Sequence, residues 1–119
     1  NTVRQFSLQG QVYATYGTPG LAGSSLNPLQ FSSVADVDFD GTSAFISDGD
    51  GGINNRVIAL KDGQLLWSSG WAGSGDDEFS SPHTVAYVDV LHAVLVGDRG
   101  NNRIQALNAQ DGTFMWAYD

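Results

Sequence analysis

Few side chains in this sequence are equipped for chemistry. His83 and Arg99 stand sixteen residues apart; an imidazole can bind a metal or move a proton, and a guanidinium can grip a carboxylate. Asp48-Gly49-Asp50-Gly51-Gly52 places two carboxylates two residues apart among glycines. Such glycines free the backbone to aim carbonyls, so a calcium loop and a plain wide loop both fit. Asp36-Val37-Asp38-Phe39-Asp40-Gly41 opens like an EF-hand-type calcium loop, but Ser47 stands where position 12 needs a bidentate Glu. Simple alternation accounts for it better: Val37 and Phe39 inward, the aspartates outward, Asp40-Gly41 in a hairpin turn. Asp76-Asp77-Glu78 reads as a solvated acidic run.

The candidate sets are incomplete. A zinc site needs about three or four ligands, and the chain has no cysteine and only one other histidine, His92, in an expected hairpin turn. His83 is therefore either one ligand of a site completed elsewhere or a histidine hydrogen-bonded at a strand start after Pro82. Arg99 either faces a ligand or pairs with a carboxylate such as Asp98. No G-x-S-x-G, H-E-x-x-H or phosphate-cradling loop followed by Lys occurs. Five basic against thirteen acidic residues give a net charge of −8, which would repel a phosphate backbone and argues against nucleic-acid binding. The apolar runs are too short for membrane insertion by a helix.

The elements that must carry these residues follow from an internal repeat. Asn55-Arg56-Val57-Ile58-Ala59-Leu60 returns 47 residues later as Asn102-Arg103-Ile104-Gln105-Ala106-Leu107. Val3-Arg4-Gln5-Phe6-Ser7-Leu8 has the same shape. Phe31-Ser32-Ser33-Val34 returns as Phe79-Ser80-Ser81-Pro82, 48 residues on. Each unit reads strand, turn, strand, Asp/Gly/Asn loop with Arg, strand, Asp-Gly turn, strand. The apolar runs are β-branched and aromatic with no 3.6-residue period, so the expected class is all-β. Four antiparallel strands in about 47 residues is one propeller blade. About two and a half blades are expected: a back half over residues 1–17, then full blades over 26–70 and 76–119. Two and a half blades do not close a ring, so other blades or copies of the chain are the expected partners.

Positions that recur in each blade point to scaffolding. Arg4, Arg56 and Arg103 are expected to satisfy backbone carbonyls, and Trp67 and Trp116 to pack between blades. Trp71 has no counterpart and fits either a linker anchor or a binding contact.

Asp98-Arg99-Gly100-Asn101-Asn102-Arg103-Ile104-Gln105 resembles the D-x-G-N-N-R-I-Q-like stretch of NHL-repeat β-propellers. Asp48 through Val57 is similar with a short insertion. The wording of that loop resembles secreted NHL-repeat proteins without assigned activity. That implies an extracellular or secretory location and a non-catalytic scaffold that binds proteins or peptides. The stretch from Pro82-His83 to Asp98-Arg99 also resembles the lyase domain of peptidylglycine α-amidating monooxygenases. That resemblance implies zinc at His83, a substrate contact at Arg99, and cleavage of α-hydroxyglycine-extended peptides. The lyase pattern has a tyrosine two residues after the Asp of the preceding loop, where this chain has Asp50.

Overall fold

A computed structural model describes all 119 residues. The chain opens with a two-stranded hairpin, β1 (Thr2–Phe6) and β2 (Val12–Gly17). A four-stranded antiparallel sheet follows: β3 (Val34–Phe39), β4 (Ser43–Asp48), β5 (Arg56–Lys61) and β6 (Gln64–Ser69), in that order. A short parallel pair, β7 (Trp71–Ala72) and β8 (Glu78–Phe79), links it to the next sheet. That sheet holds β9 (Pro82–Val88), β10 (Ala93–Asp98), β11 (Arg103–Asn108) and β12 (Phe114–Tyr118). The all-β fold of four-stranded blades expected from the repeat is the one that forms.

Turn chemistry fixes the register. Asp62 and Gly63 both take positive φ, 50° and 77°, the requirement of a two-residue hairpin turn whose twist matches its strands. At the β3–β4 turn, Asp40 Oδ1 accepts the amides of Thr42 (2.8 Å) and Ser43 (2.6 Å). Burial pushes the Asp40 carboxyl up, but the Ser43 and Thr42 donors outweigh it and hold the group below its ordinary range.

Each blade has a forward face, toward the next blade in sequence, and a rear face. Forward residues Phe45, Val57, Ala59 and Trp67 of the first full blade meet Phe79, Val85, Val94, Val96 and Leu107 of the second. Phe45 stacks between Trp67 (5.9 Å) and Tyr87 (5.8 Å). The rear face of the first full blade is only partly covered: Ile46, Ile58 and Leu60 join Phe31 in a cluster against Val3 and Tyr16 of the opening hairpin.

Two expectations change here. Val37 and Phe39 do face the rear of their sheet, but they are exposed, Phe39 to 60%. On that side these 119 residues place only the β1–β2 hairpin, which packs on Ile46, Ile58 and Leu60 and leaves Val37 and Phe39 open. Asp36 and Asp38 do not point away into water either. Asp36 accepts the amides of Val37 (2.9 Å) and Val85 (3.1 Å), and Asp38 those of Phe39 (2.9 Å) and Tyr87 (2.7 Å). Each carboxylate thus bridges the free edges of two neighbouring inner strands, β3 and β9. Hydrogen bonds to a charged group contribute about 1.5–3 kcal/mol, and water can replace part of that at a half-buried edge. Asp38→Ala is therefore expected to lower unfolding free energy by about 1–2 kcal/mol in urea titration. A change no larger than that of an exposed turn residue would mean that the carboxylate does not clamp the two strands.

Candidate functional site

The loop between β4 and β5 carries Asp50, the start of β9 carries His83, and the turn after β10 carries Arg99. The fold brings these three together at one end of the seam between the full blades. Arg99 Nη2 lies 2.9 Å from Asp50 Oδ1, and His83 Nε2 lies 3.6 Å from Asp50 Oδ2. All three side chains reach solvent, Arg99 to 60%, His83 to 42% and Asp50 to 34%.

The backbone around Asp50 is braced by Ser33. Its hydroxyl donates to the Asp50 carbonyl (2.7 Å) and its own carbonyl accepts the amides of Gly49 and Asp50. A Cβ at Gly49 would stand 2.6 Å from Pro82 Cδ of the next blade and 2.8 Å from the Asn54 carbonyl of its own loop, so both the neighbouring blade and the local loop require glycine here. Arg99 occupies the same repeat position in the last blade of these 119 residues. Sequence reasoning proposed Asp98 as the partner of Arg99, and that is corrected. Asp98 is fully buried and binds Arg103 (2.9 Å) and Asn101 (2.7 Å), so the counter-ion of Arg99 is Asp50 from the neighbouring blade.

The pairing of Asp48 with Asp50 in a calcium loop is also corrected. Asp48 is fully buried, and both of its oxygens are engaged. Oδ1 accepts the amides of Ser32 and Ser33 (2.9 Å each), and Oδ2 accepts Asn54 (2.8 Å) and Arg56 (3.0 Å). A carboxylate held by four donors has nothing left for a cation. Asp50 and His83 alone remain as zinc-competent donors here, and no group of three or more His, Cys, Asp or Glu converges anywhere in the chain. Catalytic zinc sites use three protein ligands and structural ones four.

The recurrent arginines divide. Arg56 donates to Asp48 and to the carbonyls of Ser24 (2.8 Å) and Gln30 (2.6 Å). Arg103 repeats the pattern with Asp98, Ser74, Gly75 and Glu78. These two nodes lash each blade to the linker before it, as expected of a guanidinium meeting several carbonyls. Arg4 is not their equivalent, and that expectation is corrected. The β-bulge falls between Ala59 and Leu60, between Ala106 and Leu107, and between Gln5 and Phe6. That register puts Thr2 at the arginine position and Arg4 where Ile58 stands, on an exposed face without a hydrogen-bond partner.

Trp67 and Trp116 are equivalent in register, each opposite an alanine, Ala59 and Ala106. Trp67 is 8% exposed and its Nε1 donates to the Ala109 carbonyl at 3.0 Å. Trp116 is 39% exposed. Trp71 sits in the linker, where its Nε1 donates to Glu78 Oε1 at 3.0 Å while its ring stays 57% exposed. The Gly75 amide and then the Trp71 indole hold the Glu78 carboxyl below its ordinary range.

Two features escaped the sequence reading: the bridging role of Asp36 and Asp38, and Asp50 as counter-ion. The first had a signal, since Thr84 and Ala86 replace the aspartates one repeat later, so β9 has no carboxylates of its own and its edge amides are capped from the neighbouring blade. The second had none, because it depends on how two blades sit side by side.

No family model matches the chain. Over 121 aligned residues it is 40% identical to NHL repeat-containing protein 3 of Mus musculus and 42% identical to that of Homo sapiens. Both alignments cover the whole chain and 35% of the relative, so the chain spans about a third of the length of the curated relatives it matches.

Proposed function

The chain belongs to the NHL-repeat family, and on that premise we propose that it is a non-catalytic scaffold segment whose open blade faces are completed by further blades. One observation carries this reading. The forward positions buried in the first full blade (Phe45, Val57 and Trp67, at 0%, 0% and 8%) recur in the last blade as Leu95, Ile104 and Trp116. There Ile104 and Trp116 are open to solvent at 43% and 39%. A contiguous apolar face of this kind is what a docking partner covers. The family resemblance adds an extracellular or secretory location, tested by whether expressing cells release the protein to the medium or retain it in the cytosol.

The alternative, a zinc-dependent peptidyl-α-hydroxyglycine lyase, draws on the meeting of His83 and Arg99. Asp50 weighs against it. It stands where the lyase pattern has tyrosine, and its carboxylate neutralises the cation that would hold a substrate carboxylate. The expected result is no release of glyoxylate from an α-hydroxyglycine-extended peptide with zinc present, by the chain or by its Asp50→Tyr variant. Zinc-dependent turnover by the unaltered chain would overturn the scaffold reading.

A further inference from the structure

The Trp71 side chain is tethered through its indole N–H and open to solvent over most of its surface. The linker from Gly70 to Phe79 folds back on itself through β7 and β8, with Trp71 opposite Glu78 and Ala72 opposite Phe79. The Glu78 carboxylate ties this linker together. Its Oε1 accepts the Trp71 indole N–H at 3.0 Å, and its Oε2 accepts the amides of Ser74 (2.9 Å) and Gly75 (2.7 Å). The one polar atom of the indole is thus satisfied, yet the residue remains 57% exposed.

We infer that Trp71 is a platform for an arginine side chain of a basic peptide segment, with Asp76, Asp77 and Glu78 supplying the opposite charge. The inference goes beyond the scaffold reading and uses only the linker that joins the two full blades.

Blade architecture does not ask for tryptophan here. Asn54 Nδ2 donates to the Gly23 carbonyl and Asn101 Nδ2 to that of Gly73, each at 2.8 Å. A Cβ at Gly23 would meet Gln30, as one at Gly73 would meet Glu78. The two linkers are therefore in register, with Leu21 in the place of Trp71 and Gln30 in that of Glu78. Leu21 is likewise open to solvent, at 50%, so this is a position that the blades do not bury and that a leucine can fill. The second linker adds a large flat ring and a carboxylate that fixes it. A single exposed apolar residue needs no explanation. An exposed indole whose orientation is already set by a hydrogen bond is a binding anchor, because little ordering remains to be done when a partner arrives.

Charge selects the occupant. Asp76 is exposed, and Asp77 and Glu78 are half-buried, with Asp77 Oδ1 accepting the Ser69 hydroxyl at 2.6 Å. The cation against this linker, Arg103, has a side chain only 9% exposed, and its charge is matched by Asp98 at 2.9 Å. The linker therefore keeps an excess of negative charge, on a chain whose net charge is −8. An acidic partner is repelled there and a basic one is drawn in. Arginine suits both features. Its planar guanidinium stacks on an indole while its edge N–H groups reach carboxylates, which the compact, strongly hydrated ammonium of lysine does less well.

The test is fluorescence anisotropy of short labelled peptides titrated with the 119-residue chain. One peptide alternates glycine with arginine, a second glycine with lysine, a third glycine with glutamate. The expected order is arginine tightest, lysine weaker and glutamate unbound. Trp71→Leu gives this linker the residue of the preceding one and leaves the net charge unchanged. It is expected to weaken binding of the arginine peptide at least about fivefold, with a urea midpoint close to the parent's. Asp76→Asn, which removes an exposed charge, is expected to weaken it as well. Should Trp71→Leu fail to fold, the parent's preference for arginine over lysine and the loss on Asp76→Asn decide the question. Equal binding by the parent and Trp71→Leu would mean attraction by net charge alone and overturns the inference. So does equal affinity for the arginine and lysine peptides. Both chains present the same forward face, so neither result bears on the association at Trp116 that tests the scaffold reading.

Discussion

Asp48→Ala is expected to remove about 3–5 kcal/mol of stability, enough to leave the chain largely unfolded if its total lies at the low end of the 5–15 kcal/mol typical of domains. Asp48 is fully buried and is the common acceptor for Ser32, Ser33, Asn54 and Arg56. Deleting it strands a guanidinium whose side chain is only 9% exposed and two backbone amides. The cost is therefore mainly an unpaired buried charge, not a lost attraction. Asp48→Asn keeps an acceptor for the amides and loses the charge, so it should fall between the variant and the parent. Asp50→Ala, two residues on, removes an exposed pair and should change stability by about 1 kcal/mol or less. Urea midpoints of the three variants check the order, and a mild Asp48→Ala would mean that the Arg56 node is not structural.

The second large effect separates two tryptophans at one repeat position. Trp67→Ala should cost about 3–5 kcal/mol, the range for truncating a buried aromatic. Its ring touches Phe45, its indole N–H reaches the Ala109 carbonyl, and a Cβ at Gly112 would stand only 2.6 Å from its Cε3. Trp116→Ala in the same chain should cost about 1 kcal/mol or less, since its ring lies on an open face. The two substitutions are chemically identical, so the difference reports whether a following blade is present. Thermal or urea unfolding of the pair measures it. Equal losses would mean that Trp116 is already covered within this chain.

Strand order, blade length and the inter-blade role of Trp67 were legible because each is written twice, in residues whose periodicity and turn types are local. Arg56 and Arg103 were legible for the same reason. Arg4 was misread because its apolar neighbours resemble theirs, whereas the register depends on the bulge after Gln5 and on where Gly17 returns to Asn1. The loop from β1 to β2 is also longer than the two-residue turn at Asp62-Gly63, so alignment by the turns displaces the strand. Val37 and Phe39 obey the alternation rule, but alternation does not say whether the face they share has a neighbour. The Asp50–Arg99 pair joins residues of different blades and is a property of packing alone. Asp48 and Asp50 look alike in sequence, and only the sheet's pleat and the Arg56 node show that one is a structural anchor and the other a surface counter-ion.

The scaffold proposal requires the forward face around Ile104 and Trp116, 43% and 39% exposed, to be a surface that a neighbour covers. The direct measurement is the native mass of the 119-residue chain by light scattering across a concentration series, beside the Trp116→Lys variant. The expected mass rises above the monomer's with concentration in the parent and stays at the monomer's in the variant. A parent that remains monomeric throughout, or a variant that associates just as strongly, would contradict it.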